Sequence, residues 1–290
     1  MTDRTASTTA DAAPVLVTGG TGKTGRRVAE RLRARGVAVR TAARSGADVA
    51  LDWDDGSTYA PALAGTRAVY VAFAPDLAVP GAPARIAAFT AAAVGAGVER
   101  LVLLSGRGED EAQRCEELVL RTPGIDATVV RASWFAQNFD EGHFADGVRE
   151  GAVVLPVDAV REPFVDADDL ADVAVAALLE DGHAGEVYEA TGPRLLTFGE
   201  AVAEIAAATG REIAFVPITV DEYAAGAAAA GVPEGEIALL RYLFTEVLDG
   251  RNASVADGVE RALGRPPRDF AAYARAAAAT GVWTAPAPAV

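Results

Sequence analysis

The chain has 290 residues, 51 % of them hydrophobic and 23 % charged, enough for a substantial core and far from a disordered composition. A net charge of −15 at pH 7 disfavours general nucleic-acid binding, which needs a basic surface to displace counterions. No stretch is apolar for long enough to span a bilayer, and the single cysteine, Cys115, excludes an internal disulfide and a thiolate metal site, as expected of a cytoplasmic protein.

Residues 1–13 are small and polar, lack the apolar segment of a signal peptide, and are expected to form a flexible leader. Residues 14–150 then alternate strand-like and helix-like segments. Val15–Thr18 reads as a first strand, Arg26–Arg35 as a helix ended by Gly36, and Val37–Ala42, Asp48–Asp52 and Ala68–Ala74 as the next three strands. Ile86–Val94 reads as a helix closed by Gly95 and Gly97, Leu101–Ser105 as an apolar strand, Glu109–Arg121 as a helix stopped by Pro123-Gly124, and Ala127–Arg131 as a sixth strand. Short apolar strands separated by helices of crossover length predict an α/β Rossmann domain with a doubly wound parallel sheet.

After Arg131 the alternation loosens. Val153–Pro156, Glu162–Val165, Glu186–Ala190 and Ile213–Pro217 read as short strands. Asp168–Leu179, Phe198–Ala208, Asp221–Ala230, Glu234–Leu248 and Arg268–Ala279 read as helices, two of them introduced by the capping boxes Thr197-x-x-Glu200 and Thr219-x-x-Glu222. Residues 151–290 are therefore expected to form a smaller, mostly helical substrate lobe, integrated with the Rossmann domain and covering the sheet's C-terminal edge.

The segment with the most chemistry is Thr18-Gly19-Gly20-Thr21-Gly22-Lys23-Thr24-Gly25, between the first strand and the first helix. Glycines at 19, 22 and 25 keep a G-x-x-G-x-x-G spacing, in which bare backbone approaches a pyrophosphate held at a helix N-terminus. Gly19, Thr21, Gly22, Lys23, Thr24 and Gly25 are thus expected cofactor contacts. The run Gly22-Lys23-Thr24 also resembles the end of a triphosphate-binding loop, but the position that would need the first glycine is Val17. An NAD-preferring Rossmann unit carries an acid at the end of its second strand; here that place holds Arg44, suited to a 2′-phosphate and so to NADP(H). Asp52 is a candidate partner of the adenine amino group, or else part of an acidic surface turn. Phe73, Ala74 and Ser105, at the ends of the fourth and fifth strands, are further candidate cofactor contacts.

These residues, with Val37-x-Val39-Arg40-x-x-x-Arg44, Arg131-x-x-x-Phe135-x-x-Asn138, Phe164-Val165-Asp166-x-Asp168-Asp169-Leu170-Ala171 and Tyr188-x-x-Thr191-Gly192-Pro193, resemble the NmrA-like branch of the atypical short-chain dehydrogenases along nearly the whole chain. The resemblance implies NADP(H) binding and a substrate cleft under the C-terminal lobe. It implies either a reductase of quinones, azo compounds or other aromatic molecules, or a redox-sensing regulator that binds the cofactor without chemistry.

The chain departs from ordinary short-chain dehydrogenases, which use a tyrosine and a lysine four residues on. Lys23 is the only lysine, and no tyrosine falls between Val71 and Tyr188. The helix after the fifth strand carries Arg114-Cys115-Glu116-Glu117 where phenylpropanoid-type relatives keep a lysine. Hydride transfer needs donor and acceptor held face to face, and an easily reduced acceptor needs only one hydrogen-bond donor besides. Ser105, Asn138 and His143 are the candidate catalytic groups, His143 by its pKa, although a lone histidine in Glu141-Gly142-His143-Phe144 also suits a surface position. Trp134, Phe135, Gln137, Phe139 and Phe144 would form the wall for a planar aromatic substrate, with inter-lobe packing as the other use of such a cluster. Asp166, Asp168 and Asp169 precede a helix and are expected to cap it; no metal is expected. An oligomer is possible. Arg44→Ala is expected to weaken NADPH binding about tenfold or more while barely changing NADH binding; a titration showing equal weakening would refute the NADP(H) assignment.

Overall fold

The computed structural model describes residues 13–284, so the leader expected over residues 1–13 lies, apart from Ala13, outside the described residues. Nine strands follow in the order β1 (Val15–Thr18), β2 (Val39–Ala43), β3 (Val49–Ala50), β4 (Ala68–Val71), β5 (Arg100–Gly106), β6 (Asp126–Ala132), β7 (Ala152–Leu155), β8 (Arg161–Glu162) and β9 (Val187–Ala190). Seven of them form one parallel sheet in the order β3-β2-β1-β4-β5-β6-β9. β1 and β4 are buried along their whole length, which is why Val15-Leu16-Val17 and Ala68-Val69-Tyr70-Val71 read as unbroken apolar runs rather than alternating ones. The winding reverses between β1 and β4, and a crevice opens beyond the carboxyl ends of these strands, the usual ligand position of such sheets.

Helices cover both faces: α1 (Lys23–Ala34), α2 (Tyr59–Leu63), α3 (Ala82–Gly95), α4 (Asp110–Arg121) and α6 (Ala167–Leu179), while α5 (Ala145–Glu150) lies against β7. Val28 and Leu32 of α1 pack with Leu170 and Ala174 of α6 on one face, and Ile86 and Phe89 of α3 pack with Cys115 and Val119 of α4 on the other. Beside that apolar stripe α1 is arginine-rich. Arg31 binds Asp168 and Asp172 of α6 at 2.7 and 2.6 Å, and Arg27 reaches Asp168 at 3.2 Å, so charge as well as apolar area joins the two helices.

Several boundaries differ from those the sequence suggests. β4 stops at Val71 instead of Ala74 because the Thr18 hydroxyl donates to the Ala72 carbonyl (3.1 Å) and accepts the Ala72 amide (2.8 Å), replacing the ladder and leaving Phe73 and Ala74 in a loop over the crevice. β3 shrinks to two residues because the Asp48 carboxylate turns back to accept the Thr41 amide and hydroxyl, each at 2.8 Å. α1 begins at Lys23, a turn earlier than Arg26. Residues 167–190, placed by chain order in the lobe, return to the sheet. α6 is buried along nearly all its length, and Val187–Ala190 pairs with Val129–Ala132 of β6.

The remaining elements are β10 (Leu196–Thr197), α7 (Phe198–Thr209), β11 (Ala214–Pro217), α8 (Val220–Ala229), α9 (Glu234–Tyr242) with a π-helical continuation at Leu243–Val247, α10 (Gly258–Leu263) and α11 (Phe270–Ala279). Both expected capping boxes form, at Thr197–Glu200 and Thr219–Glu222. β11 runs parallel to β7, and β10 pairs with β8. A separate aromatic core of Phe139, Phe164, Phe198 and Phe270 holds this part together. Trp283 closes it, 1 % exposed, with its indole N–H donating to the Phe139 carbonyl at 2.7 Å. No described helix is long and apolar enough to cross a membrane.

The tightest constraint is at Gly25, where a Cβ would lie 2.2 Å from the Gly19 carbonyl oxygen and 2.6 Å from its carbon. Backbone on both sides leaves no flexible group to yield. Gly25→Ala is expected to cost about 1–3 kcal/mol of stability by chemical denaturation, and a variant as stable as the wild type would show that the turn can move.

Candidate functional site

A cleft of about 700 Å³ lies at the carboxyl ends of the central strands. Its floor at one end is the glycine turn. The Gly22 amide donates to the Gly19 carbonyl at 2.8 Å, and Gly19 adopts φ +60°, which tightens the turn as only glycine does without strain. α1 starts from Gly22 with no side-chain cap and no acidic residue in its first turn, so its leading N–H groups are open to an anion. This cradle of amides and missing Cβ atoms fits a dinucleotide pyrophosphate.

Gly19, Gly22, Lys23 and Thr24 line the cleft, as do Phe73 and Ala74. Thr21 is exposed beside Gly46, and Gly25 is buried under the turn, where it permits the fold rather than facing the cleft. Arg44 stands exposed just past β2 and forms no hydrogen bond or ion pair among the described residues, free for a 2′-phosphate. Lys23 does not join it there. Its ammonium group faces the cleft and donates to Asn138 Oδ1 at 2.8 Å, with burial holding its pKa below the usual lysine range against the opposing pull of Glu141. Asp52 lies outside the cleft lining, its carboxylate accepting the Asp54 amide at 3.0 Å in an acidic turn.

The three residues expected from the sequence to do chemistry, Ser105, Asn138 and His143, all line this one cleft, two of them already engaged in hydrogen bonds. The Ser105 hydroxyl lines the cleft but donates to Glu116 at 2.6 Å, and Glu116 is itself held by Arg131 at 2.9 Å. Asn138 lines the cleft with its oxygen taken by Lys23. His143 stands at the rim, its side chain 64 % exposed, 3.9 Å from Glu236 of α9. Of the expected substrate wall, Trp134, Phe135 and Phe144 line the cleft, with Trp134 and Phe144 stacked at 6.2 Å. Phe244, from the π-helical turn, adds a face 5.5 Å from Trp134. Gln137 is 2 % exposed and is spent on α6, donating to Asp166 and accepting the Ala167 amide, both at 2.8 Å. Phe139 is fully buried in the aromatic core, edge-on to Phe144 and Phe164. These two belong to packing rather than to the wall. Asp166 caps α6 through the Asp168 amide, as its position before the helix suggests.

Besides the exposed Glu236, three carboxyl groups at the cleft escaped the sequence reading. Asp76, in the loop after β4, and Glu109, before α4, both line the cleft. Burial raises both pKa values, and for Glu109 the charge of Asp76 adds to it. Glu162 of β8 is fully buried with no partner for either carboxyl oxygen, and desolvation, opposed by Arg107, pushes its pKa up to about 7. No local pattern marks them. Glu109 reads as an acid favouring a helix N-terminus, Glu162 as the outer face of a strand, and the pairing of Asp76 with Glu109 exists only in three dimensions.

Glu162 gives the protein a defined pH response. Its folded pKa lies above its ordinary value of 4.5, so the folded state binds the proton more tightly than the unfolded chain. This contribution is complete below the ordinary value and is lost as pH rises through about 7. Glu162→Gln, which stays neutral, is expected to gain about 2–3 kcal/mol on the wild type between pH 5 and pH 8; parallel stability profiles from denaturant titration would refute it.

Comparison with known proteins agrees with this geometry. A family model described as NAD(P)H-binding matches residues 19–181. The oxidoreductase YesF of Bacillus subtilis is 32 % identical over 93 % of this chain and 98 % of its own. The NAD(P)H azoreductase of Xenophilus azovorans is 30 % identical over 91 % of this chain and 98 % of its own. In fold, the triphenylmethane reductase of Citrobacter sp., solved with NADP(H), superposes with a TM-score of 0.74 at 20 % identity, covering 90 % of this chain and 99 % of that one. With the glycine turn, the seven-stranded parallel sheet and these relatives in agreement, the chain belongs to the NAD(P)H-binding, NmrA-like branch of the atypical short-chain dehydrogenases/reductases.

Proposed function

We propose that this protein is an NADPH-dependent reductase of planar, conjugated small molecules such as quinones and azo compounds. The observation that carries the reading is the continuity of one cleft, which joins the dinucleotide turn at Gly19–Thr24 to an aromatic wall at Trp134, Phe135, Phe144 and Phe244. The relatives named for azo and triphenylmethane substrates support a conjugated aromatic acceptor.

When bound, the nicotinamide supplies the hydride. The chain's own residues then have four tasks. The amides of the glycine turn hold the pyrophosphate, and Arg44 meets the 2′-phosphate. The Lys23–Asn138 hydrogen bond ties the turn to the segment after β6, fixing the distance between cofactor floor and substrate wall. Trp134 and Phe144 offer a flat apolar surface that orients the acceptor and excludes water. α9 and the π-helical turn close the side facing solvent through Leu239, Leu240 and Leu243.

One observation favours the second reading, a regulator that binds NADP(H) without turnover: Ser105 and Asn138 are already engaged, and His143 sits at the rim. Following nicotinamide absorbance with NADPH and a panel of quinones, azo dyes and enones separates the two. Turnover well above background with at least one class is expected. Tight NADP(H) binding with none across the panel would establish the regulator instead.

A further inference from the structure

A neutral acceptor takes a proton as well as a hydride, and the groups the sequence offered for this are spent or peripheral. Besides the exposed Glu236, three other carboxyls line the cleft, and none of the three forms an ion pair among the described residues. Glu109 is only 9 % exposed, and its carboxylate folds back onto Gly106 at the end of β5, where a Cβ would sit 2.2 Å from Glu109 Oε1. The bare backbone at Gly106 thus provides the space the carboxyl group fills, beside Ser105 and the carboxyl end of the sheet. Asp76 comes in from the β4 side, oriented by the Ala78 amide, which donates to it at 2.8 Å. The two acids line one cleft within reach of each other's charge and with no cation beside them among the described residues, which favours a proton on one of them.

The charges packed around the pair do not remove that preference. Glu116, from α4, adds further negative charge but is held by Arg131. Tyr242 faces Glu109 from α9 together with Asp110. Arg107 points away, to Glu189 at 2.6 Å and to the Ser254 carbonyl at 3.0 Å. Glu162 is a second, independent sign that this cleft holds neutral acids: it lines the same cleft, completely buried, with both oxygens unpartnered among the described residues.

We infer that Asp76 and Glu109 share one proton and form the proton donor to neutral acceptors in this cleft. The inference rests on the reductase reading. A quinone-like acceptor gains a hydride from the reduced nicotinamide and a proton from the pair. One carboxyl O–H bond breaks, an O–H bond forms on the acceptor, and the hydroquinone leaves. The pair, now two facing carboxylates, recovers its proton from water at the cleft mouth. A cationic acceptor, such as a triarylmethane dye, is neutralised by hydride alone and makes no use of the pair. One site therefore serves both kinds of acceptor without the tyrosine and lysine of ordinary relatives.

Glu109→Gln tests this, since it keeps a polar group of the same shape and the single negative charge of Asp76 while removing the transferable proton. The ratio of kcat/KM for a neutral quinone to that for a cationic triarylmethane dye is expected to fall about a hundredfold. Asp76→Asn should lower the ratio likewise, which keeps the test intact if one variant folds poorly. Independently of cofactor and turnover, a carbon-13 NMR titration of the cofactor-free protein should show a protonated carboxyl at pH 7 that disappears in Glu109→Gln, with Glu162→Gln identifying that group's own signal. Turnover of both acceptors with an unchanged ratio, or a pair fully ionised at pH 7, would overturn the proton donor alone. No turnover with either acceptor would overturn the reductase reading and the transfer step with it.

Discussion

The structure depends on the close approach of two backbone segments, Gly19 and Gly25, at the junction of β1 and α1. With no side chain at Gly25, the first turn of α1 lies directly on the loop leaving β1. That contact sets the direction of α1, and with it the face that receives α6 and the arginine–carboxylate pairs between them. It also points the unpaired N–H groups of the helix into the crevice. Fold and anion site are two results of one steric condition, so neither can be altered there alone.

Electrostatics then divides the molecule. Around α1 and α6 almost every charge is matched: Arg26 and Arg27 hold Glu141, and Asp169 and Asp172 receive Arg265 and Arg268. At the cleft the opposite holds, with Asp76, Glu109 and Glu162 unpaired by any cation. In an interior of low polarity an unpaired acid is cheaper as the neutral form, so a cleft of an acidic protein can present carboxyl groups rather than carboxylates. The contrast shows that the unpaired acids do not follow from a shortage of arginine.

What the sequence made legible follows the range of the interactions concerned. The glycine spacing, the apolar strands and the two capping boxes are encoded by residues a few positions apart, and each appears in place. Arg44 stands exposed just past β2, where the sequence puts it, because its position relative to β2 is fixed by the strand itself. Gln137 and Phe139 misled because they sit within the same short segment as Trp134 and Phe135. A 3₁₀ turn at Ala136–Asn138 sends neighbouring side chains in different directions, one to cap α6 and another into the aromatic core. The return of residues 167–190 to the sheet and the meeting of Asp76 with Glu109 join segments far apart in the chain, and nothing local announces either.

The roof of the cleft has a different standing from its floor. α9 contains no buried residue, and only Phe244 and Val247 of the turn that continues it are anchored in the interior. Substitutions at Leu239, Leu240 or Leu243 remove little packing, whereas those on the floor collide with backbone. The roof can therefore change in sequence over evolutionary time while the glycine turn beneath it stays fixed, so shape on one side of the cleft can vary without disturbing the other.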